Sequence, residues 1–280
     1  MNIERKICWR ITRRCNLHCI HCLAGFKNTH RRDLTTNELQ ATLSKISNAG
    51  VTRITWTGGE PSLVPSLPTL IEMCHQENIK TVLTTHGLSL TPKIFGTFSS
   101  ATDSVRLSID GLEKTHNEIR GGHFFHRTMS NIESLVGLGI ETEVNISVMQ
   151  RNIREIPQLL KILAAAGVSK VVLLSLMQRE SAKENNLRPG SQAEFAQLKN
   201  EIIDFQETHS SLEIILYDYY DPNDTYIVVE SDGEIVLCSE LGDKSMGQIL
   251  SAHGTELLDG ALAEQTLAHK KPTLQLQFQH

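Results

Sequence analysis

Short runs of β-branched and aliphatic residues alternate along the first part of the chain with segments whose apolar residues recur every three or four positions. The first pattern predicts strands and the second predicts amphipathic helices. Regular alternation of the two predicts a mostly parallel sheet with right-handed crossovers, either an open partial barrel or a doubly wound sheet. The six predicted strands are ICWRIT (7–12), RITWT (53–57), TVLTT (81–85), SVRLSI (104–109), EVNISVM (143–149) and KVVLLSLM (170–177).

Several helices are marked by their ends and by their apolar stripes. Thr35 and Glu38 form the pattern of a capping box, and Gly50 is a typical stop signal for the same helix. Cys74 shares a stripe with aliphatic residues of the next helix, which predicts a core position rather than a ligand. Pro157 suits the first turn of a later helix, where a missing N–H costs nothing.

The pattern changes after residue 178. A polar stretch leads into a further helix, a strand LEIILYDYY and the segment TYIVVESDGEIVLC, in which Asp232 and Gly233 are typical turn residues of a β-hairpin. We therefore expect an α/β core over residues 1–178 and a C-terminal α+β extension, a helix plus a β-hairpin, over residues 179–280.

Composition restricts the class of protein. The 280 residues are 40% hydrophobic, and 27 basic against 32 acidic residues give a formal charge of −5. This balance gives no reason to expect a nucleic-acid partner. No apolar run approaches the roughly 20 residues that span a bilayer, and the N-terminus lacks the apolar segment of a secretory signal. We expect a cytoplasmic protein without a membrane partner, in which the six cysteines are thiols or metal ligands rather than disulfides.

Four unusual sequences follow four successive predicted strands. The cysteine-rich TRRCNLHCIHC follows the first strand, GGEP the second, THG ends the third and SIDG ends the fourth. Because the carboxyl ends of parallel strands meet at one edge, we expect these sequences to form one site. A basic cluster, Arg10, Arg13 and Arg14 with Arg31 and Arg32, flanks the cysteines and is either functional or a solvated loop.

The CxxxCxxC spacing itself has two interpretations. One is a zinc site in which Cys8 or His21 would be the fourth ligand of a tetrahedron. However, Cys8 lies within an apolar strand, and His21 is next to Cys22 in sequence, so binding of one zinc by both would be strained. The other is an iron–sulfur cluster with three cysteine ligands, which leaves one iron open for a substrate or cofactor. In GGEP, the two glycines would let a ligand approach the backbone, and the glutamate would present a carboxylate suited to an ammonium group.

Three motifs, CNLHCIHC, TGGEP and SIDGLEKTHNEIRGG, in this order resemble the radical S-adenosylmethionine (radical SAM) superfamily, most closely its SPASM/twitch branch. The resemblance is good over about residues 5–178 and looser beyond. It implies a partial (β/α)6 parallel barrel and two cofactors, one [4Fe–4S] cluster and S-adenosylmethionine (SAM). By the same resemblance the cluster ligands are Cys15, Cys19 and Cys22, and the open iron chelates the methionyl end of SAM.

The resemblance also implies contacts to SAM. The GGE tripeptide would contact the methionine amino group, the end of strand four the ribose or the carboxylate, and strands five and six the ribose and adenine. A histidine of the cysteine loop would pack over the cofactor, and the arginine of an RG element would also reach it. An ion pair is the alternative for that arginine, and core packing for the strand residues. The predicted contacts are Gly58, Gly59, Glu60, Ser108, Asp110, Asn145, Val148, Leu174 to Met177, His21 and Arg120.

The chain departs from the pattern of this family at two places. His86 stands where relatives commonly have Asn, which puts a hydrogen bond of that amide in doubt. The C-terminal segment resembles the start of a SPASM domain but has Gly247-Gln248 in place of a GN element and no cysteine after Cys238. We therefore expect no auxiliary cluster. Cys238 is either a buried vestige or a hydrogen-atom donor to a substrate radical, as in some radical epimerases.

The implied reaction is reductive cleavage of SAM to a 5′-deoxyadenosyl radical, which removes a hydrogen atom from a biosynthetic substrate. The electron would come from a reductant such as flavodoxin or ferredoxin. Since no winged-helix domain precedes the first strand, we expect a small molecule, such as a nucleotide or sugar, or a short peptide. A viperin-like nucleotide-modifying enzyme and a zinc-bound interaction module are the alternatives. Residues expected to form a lid or pocket wall are Tyr217, Asp218, Tyr219, Tyr220, Asp221, Asp224 and Tyr226.

Overall fold

A computed structural model describes residues 4–22, 32–91, 94, 96–98, 103–217, 226–239, 242–268 and 274–276. The strands within these ranges form one sheet in the order β10-β9-β8-β1-β2-β3-β4-β5-β6-β7-β11. The strands are β1 (Lys6–Thr12), β2 (Arg53–Gly58), β3 (Lys80–Thr85), β4 (Asp103–Ser108), β5 (Glu141–Val148), β6 (Lys170–Ser175), β7 (Glu213–Tyr217), β8 (Tyr226–Val229), β9 (Glu234–Ser239), β10 (Gly242–Gln248) and β11 (Leu274–Leu276). The helices are α1 (Thr36–Asn48), α2 (Leu67–Gln76), α3 (Glu113–Arg120), α4 (Phe125–Gly137), α5 (Ile156–Ala165), α6 (Glu180–Glu184), α7 (Gln192–Gln206) and α8 (Gly254–Ala268).

All six predicted strands are present and pair in parallel, so the predicted α/β class and its parallel sheet are confirmed. Two strands from beyond residue 178 extend this sheet. β7 pairs in parallel with β6, and β8 pairs in parallel with β1. The predicted hairpin is formed by β8 and β9, with Gly233 at φ 85° in its turn, and β10 continues it in the antiparallel sense.

The outer face of the sheet packs against the helices in two apolar clusters. One joins β1, β2, β8 and β9 to α1, α2 and α8, and the other joins β4 to β7 to α4, α5 and α7. Trp9 and Trp56 stack in the first cluster with ring centroids 5.0 Å apart. Cys74 is fully buried there, as predicted. The capping box of Thr35 and Glu38 is also formed, so the start of α1 is confirmed.

The sheet curls so that strands distant in its order face one another. Arg179, just after β6, makes a two-point ion pair with Asp243 on β10, with N···O distances of 2.6 and 2.8 Å. Seven strands lie between β10 and β6 in the sheet order, so this pair connects the two sides of the barrel opening. The predicted partial barrel agrees with this closure.

Charged residues cover the inner face near the amino ends of four adjacent strands. Glu143 on β5 accepts from Arg106 on β4 at 2.6 Å and lies 3.9 Å from Lys170 on β6. Lys170 in turn is 3.0 Å from Glu213 on β7. This ladder closes the floor of the barrel with paired charges, which leaves the opposite rim for chemistry. None of the described helices is both long and apolar enough to cross a bilayer.

Candidate functional site

The cysteine loop leaves β1 through a tightly held turn. Asp33 accepts from the Thr12 hydroxyl at 2.6 Å and from the backbone N–H of Arg13 at 3.1 Å. After this turn the exposure of the side chains alternates: those at positions 14, 16 and 18 are exposed, and those at positions 15, 17 and 19 are half-buried. The first two cysteines of the motif and Leu17 therefore face the protein, while Asn16 and His18 face solvent.

The cysteine thiols lie in a partly desolvated setting. Burial raises the pKa of Cys15. Burial also raises the pKa of Cys19, to about 11, although the positive charge of Arg120 acts to lower it. Arg120 Nη1 lies 3.8 Å from the Cys19 sulfur. A metal bound here would have to displace the thiol protons, and the arginine would stabilise the resulting thiolate.

The described residues contain no group of three or more His, Cys, Asp or Glu side chains arranged to hold a single metal ion. The three half-buried thiols of Cys15, Cys19 and Cys22 are free. In a four-iron cluster each cysteine binds a different iron, so the sulfurs need not meet at one point. The donor set, three thiols on one loop beside a cationic side chain, fits such a cluster.

The GGE tripeptide is fastened directly to the cysteine loop. The N–H of Gly59 donates to the carbonyl of Thr12 at 2.7 Å, and that of Glu60 donates to Arg14 at 2.8 Å. A Cβ on Gly59 would lie 2.2 Å from the Arg14 carbonyl oxygen, and Gly58 has φ 133°. The sequence suggested room for a ligand; the structure shows that the glycines admit the backbone of the cysteine loop itself.

Glu60 lies beneath the loop, 1% exposed, in a cage of donors. Its Oε1 accepts from the Ser62 N–H at 3.0 Å and from the Thr85 hydroxyl at 2.6 Å. Its Oε2 accepts from the His86 N–H at 3.0 Å and lies 3.2 Å from the His86 Nε2. The carboxylate is thus fixed in orientation, and His86 makes contacts in place of the amide that the family pattern places there.

A second buried carboxylate, Asp110, follows β4. Its Oδ2 accepts from two nitrogens of Arg120 at 2.6 Å and lies 3.4 Å from the His21 Nε2. Burial alone would raise the pKa of Asp110, but the guanidinium of Arg120 and the nearby His21 hold that pKa below its usual value. Burial also lowers the pKa of His21 to about 4, so its ring is neutral at pH 7.

For Arg120 the structure shows the ion pair that was the alternative to a cofactor contact, and the contact of Arg120 with SAM stays a prediction. Arg120 forms a buried ion pair with Asp110, and the same guanidinium reaches the sulfur of Cys19. The arrangement connects the end of β4 to the cysteine loop through charge-assisted hydrogen bonds, which are stronger than neutral ones. The backbone also joins here, since the N–H of Ile20 donates to the carbonyl of Ile119 at 3.0 Å.

The remaining predicted contacts divide between the two faces of the sheet. Ser108 and Asn145 are paired in register on β4 and β5, and both are half-buried on the inner face. Leu174 is likewise half-buried on β6, and Met177 lies just beyond the end of that strand. Val148 is different. It is fully buried in the outer apolar cluster, so the structure does not bring it to the inner face with Asn145.

Buried polar atoms near this rim lack partners within the described part of the chain. They include Oδ1 of Asn145, which is an acceptor, and Nδ1 of His21. The His21 Nδ1 is also an acceptor when the ring proton is on Nε2, which faces Asp110. Buried acceptors normally have partners, so these two atoms point to a ligand that carries donors. The hydroxyl and amino groups of SAM are such donors, and the residues present fit that cofactor.

Sequence reasoning missed Asn152, which holds the rim together. Its Nδ2 donates to the carbonyls of Asp110 and Ser147 at 2.8 Å each, and its Oδ1 accepts from the Met149 N–H at 2.8 Å. The Ser147 N–H in turn donates to Asp110 at 3.0 Å. Asn152 follows β5 in an ordinary loop sequence, so no local pattern distinguishes it.

Comparison with known proteins places this site in a family. The model of the Radical SAM superfamily matches residues 9–175, more than half of the 280 residues. The chain belongs to the radical SAM superfamily. The superfamily uses a [4Fe–4S] cluster and SAM, the two cofactors predicted from the sequence, and the matched region contains the cysteine loop, the GGE tripeptide and the Asp110–Arg120 pair.

Several curated proteins are similar over this region. An AdoMet-dependent heme synthase of Methanosarcina barkeri is 31% identical over 170 residues, 59% of this chain and 49% of that protein. An Fe-coproporphyrin III synthase of the same organism is 24% identical, covering 75% of this chain and 50% of that protein. Mycofactocin maturase MftC of Mycobacterium tuberculosis is 24% identical, and the match covers 60% of this chain and 44% of that protein. This radical SAM chain thus spans about half the length of the curated relatives it matches.

Solved structures share the fold. The anSMEcpe structure with bound AdoMet and Kp18Cys peptide has a TM-score of 0.74 at 19% identity, covering 95% of this chain and 84% of that one. Streptococcus suis SuiB bound to S-adenosylmethionine has a TM-score of 0.71 at 17% identity, and the match covers 83% of this chain and 59% of that one. At such identities the likeness establishes the radical SAM barrel, not a shared substrate.

Proposed function

We propose that this chain is a radical SAM enzyme that holds one [4Fe–4S] cluster through Cys15, Cys19 and Cys22. When bound, the cluster and SAM supply a 5′-deoxyadenosyl radical, by one-electron reductive cleavage of SAM, that abstracts a hydrogen atom from a biosynthetic substrate. One observation carries the proposal above the others. The cysteine loop is locked by backbone hydrogen bonds onto the GGE tripeptide, with the buried Glu60 carboxylate directly below it.

The side chains around the loop have separate tasks in this proposal. Glu60, fixed by its donors, orients the ammonium group of SAM, and Asp110 and Arg120 together position the cysteine loop. His21 and Asn145 supply acceptors for the cofactor through their unpartnered buried atoms. Because Glu60, Asp110 and Arg120 are held by neighbours before the cofactor arrives, these groups need little ordering on binding.

We propose that the substrate reaches the rim from the side of the C-terminal extension, residues 179–280. β7 and β8 flank the core strands and present Tyr217 and Tyr226 on the inner side, both half-buried. The predicted lid residues 218–221 and 224 lie outside the described residues. The substrate class that we favour is a small molecule or a short peptide, since relatives include synthases of heme compounds and a peptide is bound in the anSMEcpe structure.

Full burial of Cys238 agrees with the buried vestige of the sequence analysis, but its place on the inner side of the sheet, apart from the two outer apolar clusters, leads us to propose it as a hydrogen-atom donor as well. Its sulfur is fully buried on the side of β9 that faces Tyr226 and Cys8, and its S–H donates to Asp243. Burial, with a contribution from Asp243, raises the pKa of Cys238 to about 12, so the thiol keeps its hydrogen at neutral pH. Donation to a substrate radical leaves a thiyl radical, which one electron from the external reductant and one proton from solvent convert back to the thiol.

The experiment that tests the proposed function is anaerobic. Reconstituted, reduced protein is incubated with SAM, and 5′-deoxyadenosine is assayed without and with candidate substrates. Formation of this product in wild type and its loss in Cys19→Ala support the function. Near-stoichiometric zinc without sulfide would instead identify the zinc-bound module and end the radical proposal.

In the same assay, the Cys238→Ala variant should still form 5′-deoxyadenosine but should not form the final product. Undiminished formation of the final product would show that Cys238 is not the hydrogen-atom donor.

A further inference from the structure

Three backbone segments meet at the base of the cysteine loop. The chain leaves β1 after Thr12 and reaches α1 through Leu34, so all three cysteines of the motif lie between these two points. The third segment is the turn between β8 and β9, residues 230–233. This turn belongs to the C-terminal extension and lies outside residues 9–175, which match the family model.

Ser231 of this turn contacts both ends of the loop. Its hydroxyl accepts from the Arg13 Nε at 3.0 Å, and its carbonyl accepts from the Leu34 N–H at 2.8 Å. Because Ser231 is 0% exposed, both hydrogen bonds are shielded from water and are strengthened by the low local dielectric. One residue of the extension therefore closes the loop that carries the three thiols.

Two arginines of the basic cluster also face this turn rather than solvent. Arg10 Nη1 lies 2.6 Å from Glu230, and the two side chains are 18% and 15% exposed. Arg13 Nη2 lies 4.0 Å from Asp232, so Arg13 contacts two successive residues of the turn. These two arginines are thus part of the packed base of the loop and not of a solvated segment.

The turn is itself closed by backbone hydrogen bonds. The N–H of Gly233 donates to the Glu230 carbonyl at 2.9 Å, and that of Glu230 donates to the Glu234 carbonyl at 2.8 Å. The two strands that flank the turn place Tyr226 and Cys238 opposite each other on the inner side of the sheet. One hairpin therefore holds the cysteine loop at its turn and carries the proposed hydrogen-atom donor on its strand.

We propose that Ser231 is a positioning residue of the cluster site, which acts through Arg13 and Leu34 to fix the cysteine loop relative to the extension. This inference rests on the proposed function. Because Arg13 is two positions before Cys15, a displacement of Arg13 moves the first thiol of the motif. Misplacement of a reacting group by about 1 Å is enough to lower a rate strongly. The extension then has a second task besides contact with substrate, since it holds the loop in the geometry that binds SAM.

Two variants remove the Arg13–Ser231 hydrogen bond from opposite sides. They are Ser231→Ala and Arg13→Lys, and the second keeps the positive charge beside Asp232. In metal-free protein, alkylation of Cys15 by iodoacetamide should be about fivefold faster in each, the size expected when one intramolecular hydrogen bond is lost. Mass spectrometry that resolves the three cysteines measures this rate.

The same variants are then reconstituted and titrated with SAM. Each should bind SAM about tenfold more weakly, as for loss of an outer-shell partner, and the electron paramagnetic resonance spectrum of the reduced SAM complex should change. The double variant should be no worse than either single variant, because all three lack the same bond. Ser245→Ala is the matched control. It removes an exposed hydroxyl that donates to Glu234 at 2.6 Å between β10 and β9, and it should behave as wild type in both assays.

Wild-type labelling of Cys15 in both single variants, or effects that add in the double variant, would overturn the positioning role. Faster labelling with unchanged SAM affinity and spectrum would also overturn it, because the bond would then steady the loop without setting the site. A wild type that forms no cluster, or whose cluster ignores SAM, would instead refute the proposed function, and the labelling of metal-free protein would still decide whether Ser231 holds the loop.

Discussion

The ring Nδ1 of His86 accepts a hydrogen bond from the backbone N–H of Leu88 at 3.0 Å. An accepting ring nitrogen has no proton, so the neutral ring carries its proton on Nε2. Burial lowers the pKa of His86, although Glu60 opposes this, so the neutral form is favoured at pH 7. The Nε2–H then lies 2.8 Å from Asn16 Oδ1 and 3.2 Å from Glu60 Oε2. One imidazole thus ties the cysteine loop to the GGE carboxylate.

His86→Phe should therefore weaken SAM binding by about tenfold, the size typical for loss of an outer-shell partner. His86→Asn, which restores an amide donor, should recover part of the affinity. Equilibrium binding of SAM to the reconstituted protein measures both. The control is His209→Phe, which keeps the stack on Phe205 away from the site. Unchanged affinity in His86→Phe would show that the ring does not position Glu60.

Gly59→Ala should expel the cysteine loop from its place. The new Cβ would meet the Arg14 carbonyl oxygen at 2.2 Å, and the backbone on both sides is hydrogen-bonded. We expect a loss of about 2 kcal/mol in the free energy of unfolding, as for overpacking, and poor retention of iron on reconstitution. Gly137→Ala, with nothing within 4 Å of its Cβ, should leave both measurements nearly unchanged. Normal iron content in Gly59→Ala would contradict this account.

The stability of the metal-free protein should fall in mild acid partly through His116. Burial, aided by the charge of Arg120, lowers the pKa of His116 to about 4. An unfolded histidine has a pKa of about 6.5, so between these values only the unfolded state binds the proton, and stability decreases as pH falls. The contribution is about 1.4 kcal/mol per pH unit.

Urea unfolding at pH 7 and pH 5 tests this prediction. His116→Gln should lose about 2 kcal/mol less than wild type between the two pH values. His126→Gln, which removes an imidazole that is 79% exposed, is the matched control. If the free energy of unfolding of His116→Gln changed between pH 7 and pH 5 by as much as that of wild type, the low pKa assigned to His116 would be contradicted.

Asp243→Asn should uncover Cys238. Asp243 pairs with Arg179 across the barrel opening and accepts from the Cys238 thiol. Because the ion pair is partly exposed, we expect a stability loss of about 1 kcal/mol or less. The thiol should nonetheless react faster with a disulfide reagent under native conditions, measured by mass spectrometry of the labelled peptide. Lys244→Gln, which breaks the adjacent exposed pair with Glu264, should not speed labelling. Equal labelling rates in both variants would show that Asp243 does not shield the Cys238 thiol.

The local features of this fold were predictable because their causes lie within a few residues. The strands, the Thr35–Glu38 capping box and the buried Cys74 each follow from spacing along one element. The pairing of β8 with β1 was not predictable, because it joins segments more than 200 residues apart through backbone groups that any apolar strand offers.

At the site, the motifs located the loops but not their mutual contacts. Gly59 was predicted to let a ligand approach the backbone, yet the group that approaches it is the Arg14 carbonyl of the same chain. Val148 was assigned to the cofactor face, although it is three positions from Asn145 and so lies on the opposite face of the strand. Asn152 carried no local signal, since its distant partner Asp110 lies in the segment that follows β4.

The central claim is that the three thiols of the loop bind a cluster with one iron open to SAM, and electron paramagnetic resonance of the reduced protein tests it most directly. Anaerobically reconstituted wild type should give the spectrum of a reduced [4Fe–4S] cluster, and this spectrum should shift when SAM is added. Cys74→Ala should retain the shift, whereas Cys15→Ala, Cys19→Ala and Cys22→Ala should lose the cluster. A wild-type cluster whose spectrum ignores SAM, or one that survives loss of any of the three thiols, would contradict the claim.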